Sequence, residues 1–339
     1  MKNKLLSLMI GFVLLLLAGC SEVDVTTVVN KDGSCIRTVV LDSSDVDDTP
    51  YPVNFDGADS LVITKAEKKI VYTAYYGSVN NIKLNQQVEG DTVYHLAIQP
   101  RLTKKFRWFY TWYRYSESYG RVFHFQHVPI QDYLTQDEID LVISENDSSD
   151  EDKKIDAKLE AWYQQNFFIE FYTRLENMVR SGKLDISIES LEASKEPLRQ
   201  LFLQDVLELD SDNNTFTDND FDIFRQTLHF QNTDRAKKVL NDVIAPISKE
   251  MEWLASIQLS DMTNHVEMPG LVMDTNAETI EGNKVSWDIN SNRLLFEDYE
   301  MWVESRTVNR WPFLGTLIFT GALLVIMLVA IVRKKRLAE

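Results

Sequence analysis

The sequence predicts an α+β fold tied to a membrane, and three observations carry that prediction. β-branched and aromatic runs separated by turn residues crowd both ends of the chain, apolar residues at helical spacing fill its middle, and a charge-free apolar segment lies near its end. The simplest architecture is an antiparallel sheet built from N- and C-terminal segments, with a helical insertion of about residues 135–255 and a C-terminal transmembrane helix.

Residues 1–19 read as a lipoprotein signal peptide: Lys2 and Lys4, an apolar run from Leu5 to Leu17, then the small pair Ala18-Gly19 before Cys20. The small pair lets a signal peptidase reach the bond preceding Cys20, whose sulfur is the expected lipidation site. Residues 20–310 then form one extracytoplasmic domain. With Cys20 acylated, Cys35 is the one cysteine left, so no disulfide within the chain is expected and the Cys35 thiol should be buried.

Val23 to Leu41 reads as a β-hairpin turning at Asp32-Gly33, and Asp42 to Asp59 as a loop. Strands are predicted at Leu61 to Thr64, Ile70 to Tyr76, Thr92 to Ile98, Phe106 to Tyr115 and Val122 to Val128. A strand from Phe106 to Tyr115 carries rings on both faces. Such density points to a central strand covered on both sides. The competing reading is a stacking platform, with Trp108, Tyr110 and Trp112 contacting a glycan or apolar ligand.

From Thr135 the period turns helical. Thr135 and Glu138 make a capping box that opens a short helix. Ile155, Leu159, Trp162 or Tyr163, Phe167, Phe171, Leu175 and Met178 form an apolar stripe down a long helix ending near Ser181-Gly182. Further helices are predicted at about Lys195 to Leu207, Asp218 to His229 and Asp234 to Ala255, the last of which Pro246 should kink or split. Strand signals return at Val266 to Met268, Leu271 to Met273, Lys284 to Trp287, Leu294 to Phe296 and Met301 to Val303. Pro269-Gly270 and Glu281-Gly282-Asn283 supply turns between them.

Residues 311–332 read as the transmembrane helix, since about 21 apolar residues make roughly 31 Å of helix and match a hydrocarbon core. Arg333, Lys334, Lys335 and Arg336 follow at once, and positive residues stay on the cytoplasmic side. Residues 333–339 are therefore expected in the cytoplasm, with the domain and its lipid anchor outside the cytoplasmic (inner) membrane. Trp311 is placed to join an interfacial aromatic belt.

The chain carries a net charge of −17; setting aside the two lysines of the signal and the net three positive charges after Val332 leaves −22 on the part between. So acidic a surface disfavours nucleic acid and anionic head groups as partners. His124 and His127 point to opposite faces of any strand they share, which makes them poor joint metal ligands. Zinc spacing, a nucleophile elbow and a phosphate-cradling glycine loop are all missing from the sequence. Asp210 to Asp218 spaces its oxygens as a calcium loop does, but Thr215 stands where that loop needs glycine and Phe221 where it needs a bidentate glutamate. It reads as an acidic loop, and neither a metal nor a cofactor is expected.

The lipobox Leu17-Ala18-Gly19-Cys20, a first hairpin turning at Asp32-Gly33, a late Pro269-Gly270 turn followed by Asn276 and Trp287, one spanning helix and a basic tail together resemble LppM-type bacterial membrane lipoprotein domains. The resemblance covers the β-rich ends and the anchor, and leaves residues 135–255 unaccounted for. It implies a β-rich envelope module with no catalytic set to carry over.

The expected function is that of a membrane-anchored lipoprotein whose domain binds or scaffolds without catalysis. Its partner would be an envelope protein or an apolar or glycan ligand beside the lipid bilayer. The alternative is a membrane-bound envelope hydrolase using a carboxylate pair, which 52 acidic residues leave open. The two anchoring signals are independent and can be separated. Cys20→Ser should abolish acylation yet stay in the membrane fraction through residues 311–332, and its recovery as soluble protein would sink the spanning helix.

Overall fold

Valine alternating with polar residues folds Ser21–Val29 (β1) against Cys35–Asp42 (β2), with Val25 opposite Val39 and both side chains sealed from solvent. Gly33 turns the corner at a φ of 103°, where a Cβ would be strained, and Asp32 accepts hydrogen bonds from the N–H and hydroxyl of Ser34. Cys35 is buried on β2, and burial pushes its thiol up to about 12.

The structure is a computed structural model and describes residues 21–42, 51, 54–66, 68–84, 96–144, 152–203, 209–210, 215–216, 218–230, 233–258, 260–289 and 291–336. Cys20 and the signal lie outside these residues, as do most of the Asp42 to Asp59 loop, residues 92–95 of one expected strand, and the middle of the Asp210 to Asp218 loop.

After the first hairpin come Ser60–Ala66 (β3), Lys69–Tyr76 (β4), Ile98–Phe106 (β5) and Tyr110–Tyr119 (β6). The helical middle comprises Gln136–Ser144 (α1), Asp152–Arg180 (α2), Ile188–Ala193 (α3), Lys195–Leu203 (α4), Asp218–Leu228 (α5) and Thr233–Gln258 (α6). Between α4 and α5, Leu209–Asp210 (β7) and Thr215–Phe216 (β8) pair as a minimal hairpin. Strands return as Ser260–Glu267 (β9), Leu271–Thr275 (β10), Thr279–Glu281 (β11) and Lys284–Ile289 (β12), then Ser291–Phe296 (α7), Tyr299–Val308 (β13) and Arg310–Arg336 (α8) complete the chain.

The fold is α+β, but the strands make two main sheets where one antiparallel sheet is expected. The larger has the order β11-β12-β9-β1-β2-β4-β3 and the smaller β10-β13-β6-β5. Each has an apolar inner face, Val25, Val39 and Val266 on one and Tyr115, Met301 and Val303 on the other, and the two bury these faces in one core. β1 and β9 run parallel, joined through β2 to β6 and the helical middle, far more chain than the crossover that parallel pairing requires. Gly270 (φ 88°) lies so close to the Arg306 carbonyl that a Cβ would approach within 2.3 Å, so the Pro269-Gly270 turn admits no side chain there.

Of the expected α2 stripe, Ile155, Trp162, Phe171 and Leu175 are buried and Leu159, Phe167 and Met178 are half-buried, while Phe168, Tyr172 and Val179, outside that stripe, are buried as well. The first half of α2 packs into the sheet core and its second half builds a separate helical core with α5 and α6. Gly182 ends it at a φ of 69°, with the Lys183 N–H bonded to the Met178 carbonyl at 2.9 Å. The Thr135–Glu138 capping box forms as expected.

Several expectations are corrected. Phe106 to Tyr115 is no single strand, because Arg107, Trp108 and Phe109 turn the chain between β5 and β6. Val122 to Val128 is not a strand either: groups on the helices, not a neighbouring strand, bond its backbone, the Val122 N–H donating to the Leu294 carbonyl of α7 at 2.8 Å. The Glu250 carboxylate accepts from the His124 N–H at 2.6 Å, Asn166 Oδ1 from His127 and Val128, and the indoles of Trp162 and Trp253 donate to the carbonyls of Val128 and Val122. Leu294 to Phe296 is helical, since three consecutive buried residues cannot share one face of a strand. α6 runs through Pro246 without splitting, with Val243, Ile244 and Ile247 buried around it.

Phe171 is fully enclosed in the helical core. Phe171→Ala should cost about 3 to 5 kcal/mol in a denaturant titration of the detergent-solubilised chain. A loss below about 0.5 kcal/mol would be that of a surface site.

Candidate functional site

The period of two along β6 gives it two chemically different faces. Tyr113, Tyr115, Glu117 and Tyr119 point into the sheet core, whereas Tyr110, Trp112 and Arg114 lie on the outer face.

On the inner face Glu117 meets Arg37 of β2 through two parallel N–H···O bonds of 2.9 Å, with both side chains wholly buried. Tyr115, Tyr119 and Asn264 also donate to the Glu117 carboxylate, while Arg37 donates to Thr27 Oγ1 at 3.0 Å and to the Tyr51 hydroxyl at 2.6 Å. Burial alone would raise the Glu117 pKa; the Arg37 guanidinium and the hydrogen bonds outweigh it and hold the carboxyl below the usual carboxylate range. Burial pushes the Tyr51 hydroxyl up to about 12. With five donors on one carboxylate, no lone pair is left to take a substrate proton. The cavity beside Tyr51 is about 20 Å³, room for one water and no more. This cluster joins the two sheets and, among the described residues, is buried from solvent.

The outer face of the smaller sheet is different. Arg306 lies 4.8 Å from the Tyr110 ring and 5.7 Å from that of Trp112, and Arg114 lies 4.5 Å over Trp302 while pairing with Glu304 at 3.0 Å. Beside this ladder is a cleft of about 510 Å³ lined by Thr103, Lys105, Arg107, Trp112, Arg114 and Glu304.

The β5–β6 turn is clasped to the start of α8. Asn309, the single residue between β13 and α8, donates from its N–H to the Phe109 carbonyl and from Nδ2 to the Arg107 carbonyl, both at 2.9 Å, and accepts from the Thr111 hydroxyl. Trp311 packs edge-on to Trp108 at 5.0 Å and stacks on Phe106 at 6.3 Å, and Phe109 meets Phe313 at 4.6 Å. The Trp108 indole N–H donates to Thr316 Oγ1 at 3.3 Å. Pro312 is tolerated in this first helical turn, where its missing N–H has no partner to lose.

Of the three ring residues expected to contact a ligand, Trp108 sits at the turn, 52 % exposed, and Tyr110 and Trp112 lie half-buried under Arg306. They form no flat platform. The covered-core reading fails for Phe106 and Trp108 and holds for Tyr113 and Tyr115. Lys105, Arg107, Arg114 and Asn309 escaped the sequence reading, although arginine alternating with rings was its visible trace. His124 turns to Glu250 and His127 to Glu170, on different helices. Among the described residues, no three His, Cys, Asp or Glu side chains come together to hold a metal.

No protein-family model, curated protein or solved structure matches this chain.

Glu117→Gln leaves Arg37 charged and uncompensated, and should cost about 3 to 5 kcal/mol. Replacing both, as Arg37→Met with Glu117→Leu, should recover most of that loss. Because the Glu117 pKa is lowered in the fold, its contribution is complete above the unfolded carboxylate value of about 4.3 and is lost as pH falls through the folded value. Denaturant titrations from pH 7 to pH 3 should therefore show a shallower acid-side loss in Glu117→Gln than in the wild type.

Proposed function

We propose that this chain is a membrane-anchored envelope lipoprotein whose α+β domain works outside the cytoplasmic membrane as a non-catalytic binding or scaffolding module, held against the bilayer by its smaller sheet. The clasp between the β5–β6 turn and α8 carries this reading. Arg310–Ile331 is long and apolar enough to cross a membrane, with a mean hydropathy of 2.6 and its most apolar stretch not buried among the described residues. Lipid would remove from water the side chains that protein leaves bare.

Thr316 lies six residues beyond Arg310, roughly 9 Å along the helix axis. The indole that bonds to it would therefore be carried to the depth of the head groups, where Trp keeps its ring apolar and its N–H satisfied. Phe106 and Trp311, both more than half exposed, would join it in an aromatic collar. The basic run from Arg333 supports an orientation with the C-terminal end in the cytoplasm.

The lipidation reading places a constraint on posture. The Lys31 carbonyl in the β1–β2 turn accepts from Lys104 and Tyr113, near the α8 end of the domain, and β1 runs away from there by about 27 Å to Ser21. Acyl chains on Cys20 would reach the same bilayer with the domain reclining on its smaller sheet. The exposed Leu271, Met273 and Val308 of β10 and β13 suit that posture.

The test is depth. In vesicles containing lipids brominated near the top of the acyl chain, Trp108→Phe should show less quenching of total tryptophan fluorescence than the wild type. Equal quenching would put the turn in water and remove the main support for this reading.

A further inference from the structure

The acidic domain concentrates positive charge at the one place nearest α8. Lys105, Arg107 and Arg114 line the outer-face cleft against a single carboxylate, Glu304, and Arg306 stands beside Trp112 at its edge. Arg114 is already committed to Glu304 and to the Trp302 ring. Among the described residues, Lys105 and Arg107 make no ion pair, so two cations remain for a ligand. Strand register sets their positions: Lys105 sits opposite Trp112 and Thr103 opposite Arg114, so cations, an indole wall and a hydroxyl share one face.

We infer that this cleft takes the head group of an anionic phospholipid, with its phosphate between Lys105 and Arg107. Guanidinium and ammonium donors match phosphate oxygens. A volume of about 510 Å³ admits a phosphoglycerol-sized group. A free anion would leave the apolar side of the arrangement unused. Arg107 is part of the turn whose rings pack on the first turns of α8, so acyl chains leaving the cleft would run past Phe106 and Trp311 along the helix. The site also resolves an electrostatic conflict: a domain with net charge −22 is repelled by an anionic membrane unless the face it presents is locally positive. This inference rests on α8 being seated in a bilayer, as proposed above.

The experiment uses the full chain, delipidated in a neutral detergent and titrated by calorimetry with dihexanoyl phosphatidylglycerol, dihexanoyl phosphatidylcholine and inorganic phosphate. The wild type should bind the phosphatidylglycerol saturably near one equivalent, at least tenfold more tightly than either of the others. Lys105→Gln with Arg107→Gln should weaken that binding at least tenfold, whereas Arg101→Gln, on the same face but outside the cleft, should leave it within twofold. Neither change touches the backbone groups that hold Asn309, and unaltered circular dichroism would verify the fold. Equal binding of phosphatidylcholine, or wild-type binding by the double variant, would overturn the site. Inorganic phosphate binding as tightly as the lipid would assign the cleft to a free anion and overturn the lipid reading. Carbonate extraction separates the two proposals. Release of the wild type from membranes would refute the anchoring itself, while retention with unchanged lipid binding by the double variant would refute only the cleft.

Discussion

The Arg37–Glu117 pair is the constraint on which the arrangement of the sheets depends. It joins β2 of one sheet to β6 of the other with both side chains fully buried, and Thr27, Tyr51, Tyr115, Tyr119 and Asn264 satisfy its remaining donors and acceptors. Apolar faces would slide over one another at little cost, but a bidentate ion pair loses most of its compensation if displaced by a residue. Such a pair adds less to net stability than its geometry suggests, because both charges give up their hydration. Its effect is to fix which residues of β6 face inward.

Once Glu117 is fixed inward, the period of the strand sends Arg114, Trp112 and Tyr110 outward. The turn that follows in space, Arg107 to Phe109, is then held by Asn309 to the root of α8. A polar lock in the core thereby sets the position of an aromatic and basic surface at the far end of the same hairpin. Net charge misleads here. The −22 of the domain is an average over a surface, and the helix-proximal end departs from it in sign because three strands deliver Lys105, Arg114 and Arg306 to one face.

The helical middle is tied to this frame chiefly through α2 and α6, each of which supplies residues to both cores. α2 contributes Trp162 to the sheet core and Phe171 to the helical core, so two hydrophobic units share one continuous backbone. Asn166, buried between them on the same helix, bonds the N–H groups of His127 and Val128 and replaces the strand partner that segment lacks.

Local physics made much of this legible from the sequence. The β1–β2 hairpin, the capping box at Thr135, the length of α2 and its stop at Gly182, and the bare apolar helix from Arg310 all follow from turn chemistry and periodicity, which neighbours along the chain determine among themselves. Partners far apart in sequence were not legible. Arg37 and Glu117 lie 80 residues apart, Trp108 and Thr316 lie 208 apart, and no local preference marks either pair. The same reason explains the misread elements. Val122 to Val128 has the composition of a strand, yet groups on the helices bond its backbone, and Leu294 to Phe296 is apolar enough for either state until its neighbours choose. The sequence by itself determined the elements that carry their own turn, cap and period signals, and the apolar helix near the end of the chain. Tertiary structure alone decided which side chains meet, because buried polar groups and exposed cations are defined by partners that the chain brings together only when folded.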